Sequence, residues 1–199
     1  MSVIDEYAAL ASDLIDAYCA VSDTEMLRPV AHLLPKNPAR ILDVGAGTGR
    51  TAAWFAGQGM DVTAIEPVAA FRAAGQARYE KHAITWIDDA LPDLGTLHQT
   101  YDLILLAGVW HHLCEHERAT ALPRLASLLA ASGQMILSLR HGPAPHGRTV
   151  YDVPTKDTVA LAHSCGLTTG FTTHTASIQA GNRAAGVTWT WLCLHTAAS

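Results

Sequence analysis

Three glycines at alternate positions, Gly45, Gly47 and Gly49, follow a short apolar run carrying Asp43, in the stretch RILDVGAGTGR from Arg40 to Arg50. Glycine has no Cβ and tolerates positive φ, so such a turn lets backbone approach a nucleotide-like ligand closely. A second run, Asp61 to Ile65, leads into Glu66. A carboxylate there can accept hydrogen bonds from both hydroxyls of a ribose. This is chemistry for holding an adenosine-containing cofactor. The plainer alternative is a packing turn that binds nothing, but alternate glycines plus two strand-end acids exceed what packing requires. Charge then selects the cofactor. A dinucleotide fingerprint, G-x-G-x-x-G, lays a pyrophosphate over the turn. Here Arg50 stands where its last Gly would be, which argues against a nicotinamide-dependent dehydrogenase. Asp43 would repel a diphosphate and suits a ligand with an ammonium and a sulfonium.

At this point the chain resembles the class I S-adenosylmethionine-dependent methyltransferases. Their first motif, hydrophobic-hydrophobic-D-h-G-x-G-x-G, is matched throughout by ILDVGAGTG. Ala83 to Asp89 (AITWIDD) is similar to the family's third strand, which ends in an acid that contacts the adenine amino group. Asp88 and Asp89 both qualify, and the distance to Leu91-Pro92 favours Asp88. Tyr101 to Ala107 (YDLILLA) resembles the fourth strand, Gly108 to Leu113 (GVWHHL) the loop after it, and Gly133 to Arg140 (GQMILSLR) the fifth strand. The likeness covers Arg40 to about Arg140.

The resemblance implies S-adenosylmethionine as cofactor, with S-adenosylhomocysteine as product. Asp43, Gly45, Ala46, Gly47 and Gly49 would surround the methionine part. Glu66 and Pro67 would take the ribose, Asp88 or Asp89 the adenine, and Ala107 would lie beneath the donor. The activity implied is O- or N-methylation of a small-molecule acceptor. A non-catalytic binding or regulatory protein of the same fold is the alternative, as is a methyltransferase for a protein side chain.

On the acceptor side, SLRHGPAPHGR and the residues after it bring together Arg140, His141, His146, Arg148 and Tyr151. Two guanidiniums at a pocket mouth can clamp a carboxylate or phosphate. The alternative is a solvated Arg148 and an Arg140 paired with a local acid. Trp110 can stack on an acceptor or sit in the core. His111 can act as a general base, since an imidazole near its free pKa takes a proton from a hydroxyl or amine. One His of the pair would otherwise bond backbone while the other lines the pocket. HLCEH, from His112 to His116, matches a zinc-peptidase pattern. That pattern needs both histidines on one helix face, whereas the helix here starts only near Glu115, so no metal is expected.

The elements that must position these groups alternate. Strands are expected near 40–44, 61–65, 83–88, 101–107 and 134–140, and helices near 50–58, 68–81, 116–130 and 155–165. Such alternation gives a parallel sheet covered on both faces. Two late runs, Leu167 to Thr175 and Val187 to His195, flank a Gly- and Ala-rich segment that reads as a hairpin loop. The fold class is therefore α/β: a Rossmann-like seven-stranded sheet, mostly parallel, with an antiparallel last strand and helices on both faces. Ile4, Tyr7, Leu10, Ala11, Leu14, Ile15, Tyr18 and Val21 recur at helical spacing. Ser22 is the N-cap of a second helix running to about Leu34, with Glu25 completing a capping box. These two helices, residues 1–38, form a lid on a core of 39–199, all in one domain.

Composition bounds the rest. The net charge is −5, lysines are scarce and arginines scattered, so no nucleic-acid partner is expected. The cysteines Cys19, Cys114, Cys165 and Cys193 are widely separated and without C-x-x-C, as in reduced cytoplasmic chains. No signal-like segment or membrane-length apolar run occurs. The oligomeric state is open.

Overall fold

The structure, a computed structural model, describes residues 2–196. Its centre is a seven-stranded sheet built from β1 (Arg40–Val44), β2 (Asp61–Ile65), β3 (Ile84–Ile87), β4 (Tyr101–Leu106), β5 (Leu129–His141), β6 (Leu167–Ala176) and β7 (Thr188–Thr196). The order is β3-β2-β1-β4-β5-β7-β6. β1 to β5 pair in parallel, and β7 lies antiparallel between β5 and β6. This is the fold class expected.

β1 and β4 are apolar along nearly their whole length because both sheet faces are covered. Leu42, Ile104, Leu137 and Leu139 point to a face packed by Leu122 and Leu125 of α5 (Glu115–Ser127) and Ala162 of α6 (Thr155–Ser164). Ile41, Leu103, Leu105 and Ile136 point to the other face, under Ala52 and Phe55 of α3 (Arg50–Ala56). The strand order reverses between β1 and β4. In open α/β sheets that reversal leaves a crevice at the strands' carboxyl ends. α1 (Val3–Cys19) crosses above it and packs on α4 (Ala69–Arg78). Tyr7, Leu14, Ile15 and Tyr18 of α1 meet Val68 and Phe71 there.

Three boundaries differ from the expectation. The helix after Ser22 stops at Leu27 and continues as a 3-10 turn, Arg28–Leu33. Pro29 has no N–H to donate and its ring crowds the preceding turn. Ser22 still caps the start, its Oγ accepting the Glu25 amide at 3.3 Å. β5 begins at Leu129, where a helix was expected to reach 130. Tyr101 pairs with Leu129, and the register then shifts so that Leu103 pairs with Gln134. Gly133 makes this irregularity possible, since a Cβ there would lie 2.7 Å from the Tyr101 carbonyl oxygen. The segment read as a hairpin loop contains a short helix, α7 (Ala180–Ala184). Among the described residues no helix is long and apolar enough to cross a membrane.

Candidate functional site

A cavity of about 880 Å³ opens at the carboxyl ends of β1, β2, β4 and β5. The glycine turn forms one edge. The amides of Gly45 and Ala46 donate to the Ile65 carbonyl at 2.8 and 2.9 Å, tying the turn to β2. The three glycines then divide the work. A Cβ at Gly49 would lie 2.2 Å from the Trp86 indole, and one at Gly45 would lie 2.5 Å from Val109. At Gly47, with φ 57°, the nearest neighbour would be Tyr18 at 3.8 Å. Gly47 is thus the point where bare backbone faces the cavity, while Gly49 lies off its wall and serves packing.

Two carboxylates sit below this turn. Asp43 is 3 % exposed, and its Oδ2 is buried without a hydrogen-bond partner. Burial pushes its carboxyl up to about 7, with the nearby Asp23 and Glu66 adding to the effect and Arg50 opposing it. Glu66 is also buried. Its Oε2 accepts the Gly47 amide and its Oε1 the Val68 amide, each at 2.8 Å. Burial raises its pKa against those two hydrogen bonds. Each carboxylate oxygen has a second lone pair to offer.

At the end of β3 the preference for Asp88 is corrected by geometry. Asp88 turns outward and pairs with Arg72 at 2.6 Å. Asp89 lies on the cavity wall, followed by Ala90 and Leu91. Its oxygens accept the Ala90 and Thr96 amides and the Thr96 hydroxyl, which fixes the wall's course. Ala46, Pro67 and Ala107 all line the cavity.

On the opposite side stand two arginines. Arg140 is 6 % exposed, and its Nη1 donates to the carbonyls of Gly142 and Pro143 at 3.2 and 2.7 Å. Arg148 donates to the Tyr18 hydroxyl at 3.2 Å, lies over the Tyr7 ring, and leaves a buried Nε without a partner. Among the described residues neither arginine forms an ion pair. His111 lines the same wall with Nδ1 buried and unpartnered. Burial, then His112 and both arginines, hold its pKa well below the ordinary imidazole value, so the ring is neutral. Tyr151 also lines the cavity, and its amide donates to the His111 carbonyl at 2.8 Å.

Three expected acceptor residues lie elsewhere. Trp110 is fully buried, with its indole N–H donating to Thr158 of α6 at 3.3 Å. His141 follows Arg140 on a strand, so it points to the other sheet face, where it meets Thr190 at 2.9 Å. His146 is exposed on the loop. In HLCEH, His112 sits in a 3-10 turn, outside the helix that carries His116, and both its ring nitrogens are engaged by Tyr7 and Thr149. Among the described residues no three His, Cys, Asp or Glu side chains gather as a metal site.

Several wall residues were not foreseen as site residues: Tyr7 and Tyr18 of α1, Ser138, and Trp189 and Trp191 of β7. The tyrosines share the apolar stripe of α1 with Ala11, Leu14 and Ile15. The tryptophans carry a visible signal, because TWTW alternates and puts both on one face.

Comparison with known proteins finds methyltransferases. Residues 41–133 match the model of a methyltransferase domain. An uncharacterized methyltransferase of Mycobacterium tuberculosis is 30% identical over 113 residues, which is 52% of this chain and 40% of that protein. One from Bacillus licheniformis is 27% identical over 99 residues, 50% of this chain and 46% of that protein. The chain thus spans less than half the length of these curated relatives. Burkholderia thailandensis 1,6-didemethyltoxoflavin-N1-methyltransferase, solved with 1,6-didemethyltoxoflavin and S-adenosylhomocysteine bound, is 25% identical with a TM-score of 0.71, over 100% of this chain and 92% of that one. A TehB-like SAM-dependent methyltransferase from Corynebacterium glutamicum shares the fold, with a TM-score of 0.70, 20% identity and 98% of both chains covered. Residues 41–133 are thus similar to a methyltransferase domain, and the chain shares its fold with solved S-adenosylmethionine-dependent methyltransferases.

Proposed function

We propose that this protein binds S-adenosylmethionine and transfers its methyl group to a small-molecule acceptor. The observation that carries the reading is the buried, unpartnered Oδ2 of Asp43 beside the open Gly47 backbone and the Glu66 carboxylate, in one crevice. A buried carboxylate with a free oxygen is costly in an apolar surrounding and is relieved by a cationic ligand. The same crevice repels a diphosphate. S-adenosylmethionine, when bound, supplies a methyl group on a sulfonium, an excellent leaving group. The protein's part is to orient and to exclude water.

In this reading Asp43 and the turn hold the amino-acid end, Glu66 the ribose, and the Asp89–Leu91 wall the adenine. The Burkholderia neighbour, whose structure contains 1,6-didemethyltoxoflavin, supports a small-molecule acceptor. Residues 39–196 form the core, and 2–38 cover it as a lid. Four free thiols support a reducing, cytoplasmic setting. Calorimetry with S-adenosylhomocysteine tests the reading directly. Stoichiometric binding that is lost in Asp43→Ala is the expected result, and a folded protein that binds no S-adenosylhomocysteine overturns it.

A further inference from the structure

We propose that the acceptor is an aromatic small molecule bearing an oxyanion, a carboxylate or a phosphate, with the anion on Arg140 and Arg148 and the ring against Trp189. This deepens the methyl-transfer reading and rests on it.

The first observation is charge without a partner. Arg140 is buried, spends only Nη1 on backbone carbonyls, and meets no carboxylate. Arg148 has a buried Nε with no acceptor. Glu6 of α1, which reaches the same loop, is already taken by the Thr149 amide and hydroxyl at 2.6 and 2.7 Å. Two like charges held together under a roof are unfavourable unless an anion joins them. Arg140 feels this, since burial and then Arg148 lower its pKa. A planar guanidinium fork matches the oxygens of a carboxylate or phosphate.

The second observation is the surface beside the charge. Arg140 pairs across the ladder with Trp189, so their side chains leave the same sheet face as neighbours. Ser138 and Trp191 form the next such pair on that face. His111 stands edge-on to Trp189, with ring centroids 5.6 Å apart. A ring placed there is flanked by aromatic walls, which favour offset or edge-to-face packing. Asp43 and Glu66 enter the cavity from β1 and the end of β2, whereas Arg140 enters from β5, beyond β4 in the sheet.

The test uses the intact protein saturated with S-adenosylhomocysteine and five probes: benzoate, phenyl phosphate, benzamide, acetate and inorganic phosphate. Binding is read by ligand-observed NMR and calorimetry. Benzoate or phenyl phosphate should bind at least about tenfold more tightly than benzamide, the neutral match, and than either ringless anion. Whichever of the two wins names the oxyanion. Arg148→Met and Arg140→Met should each remove the preference while S-adenosylhomocysteine affinity stays at the wild-type value. That affinity reports folding, and Arg148→Met, which frees no loop carbonyl, serves if Arg140→Met loosens the loop. Equal binding of benzamide and benzoate overturns the inference, as does unchanged anion binding in both variants. Failure to bind S-adenosylhomocysteine at all would sink the methyl-transfer reading instead, so the two failures are distinct.

Discussion

Tyr7 of α1 and His112 of the loop after β4 share a 2.8 Å hydrogen bond across 105 positions of chain. The direction of that bond follows from its neighbour. His112 Nδ1 lies 2.7 Å from the Thr149 carbonyl oxygen, which only accepts. Nδ1 therefore carries the hydrogen, and Nε2 accepts from the Tyr7 hydroxyl. Glu6, one residue earlier on α1, grips Thr149 from the other side. The first helix, the loop after β4 and the loop after β5 are thus closed into one hydrogen-bonded ring around the cavity.

Tyr7→Phe removes the hydroxyl and leaves the half-buried His112 Nε2 without its protein partner. The expected loss is about 1–3 kcal/mol of unfolding free energy, the penalty for an unsatisfied buried group. Urea titration of both proteins measures it. Amide exchange should quicken in α1 and at Thr149 while β1 and β4 stay protected. An unchanged urea midpoint would show that the bond is not formed in solution.

Asp43 makes stability depend on pH in an unusual direction. Its carboxyl ionises at about 7 in the fold, against 3.8 when unperturbed. Between those values the native state binds more protons than the unfolded chain, so stability falls as pH rises from about 4 to about 7. Glu66 and Asp23, both raised by burial, act with the same sign. Glu6 and Asp89, both lowered by their hydrogen bonds, act oppositely, as do His111 and His112, both lowered by burial, so the Asp43 contribution is read as a difference from Asp43→Asn. Asp43→Asn should therefore flatten the decline, with a difference from wild type of up to about 4 kcal/mol across the window. Urea midpoints at several pH values measure the difference. A cationic ligand favours the ionised carboxyl, so S-adenosylmethionine binding below pH 7 should release a proton from wild type only. Calorimetry in buffers of different ionisation enthalpy reads that release.

Gly49→Ala separates backbone strain from packing. The residue has φ 71°, and its Cβ would overlap the Trp86 indole at 2.2 Å. Left-handed backbone costs about 1–2 kcal/mol for a residue with a Cβ, and overpacking adds about 1–3 kcal/mol. Gly59 supplies the control, with φ 82° and nothing within 4 Å of its Cβ position. Gly59→Ala should cost only the backbone share. Equal losses in the two variants would mean that Trp86 yields freely.

Much of this was legible in the sequence, for physical reasons that also mark where legibility ended. β1, β2 and β4 are covered on both faces, so they read as largely apolar runs bounded by turn residues. Asp43 and Glu66 stood out because a charge at the end of such a run demands a partner. Trp110 and Trp189 could not be sorted that way. Both follow apolar or β-branched neighbours, and only the course of the chain sends one into the core and the other to the cavity. Arg140 and His141 differ by one residue and hence by a sheet face. Asp88 and Asp89 differ likewise, and Arg72, a helix away, decides which turns outward. Tyr7 and Tyr18 were hidden because a helix roofing a cavity shows the same apolar stripe as one roofing a core.

Glu66 offers the last prediction, and it needs a design that separates two roles. The carboxylate holds the glycine turn by accepting the Gly47 and Val68 amides, and in the proposed complex it also accepts the ribose hydroxyls. Glu66→Ala should weaken S-adenosylhomocysteine binding by on the order of 2–4 kcal/mol, the loss of charge-assisted hydrogen bonds. That loss alone is ambiguous, because freeing the two amides also loosens the turn. A ligand lacking both ribose hydroxyls resolves it through a double-mutant cycle. Wild type should lose affinity for the deoxygenated ligand by a similar amount, whereas Glu66→Ala should bind both ligands alike. Calorimetry on the four pairings gives the coupling directly. If the variant still discriminates between the two ligands as wild type does, the ribose is held elsewhere, and Glu66 serves the turn alone.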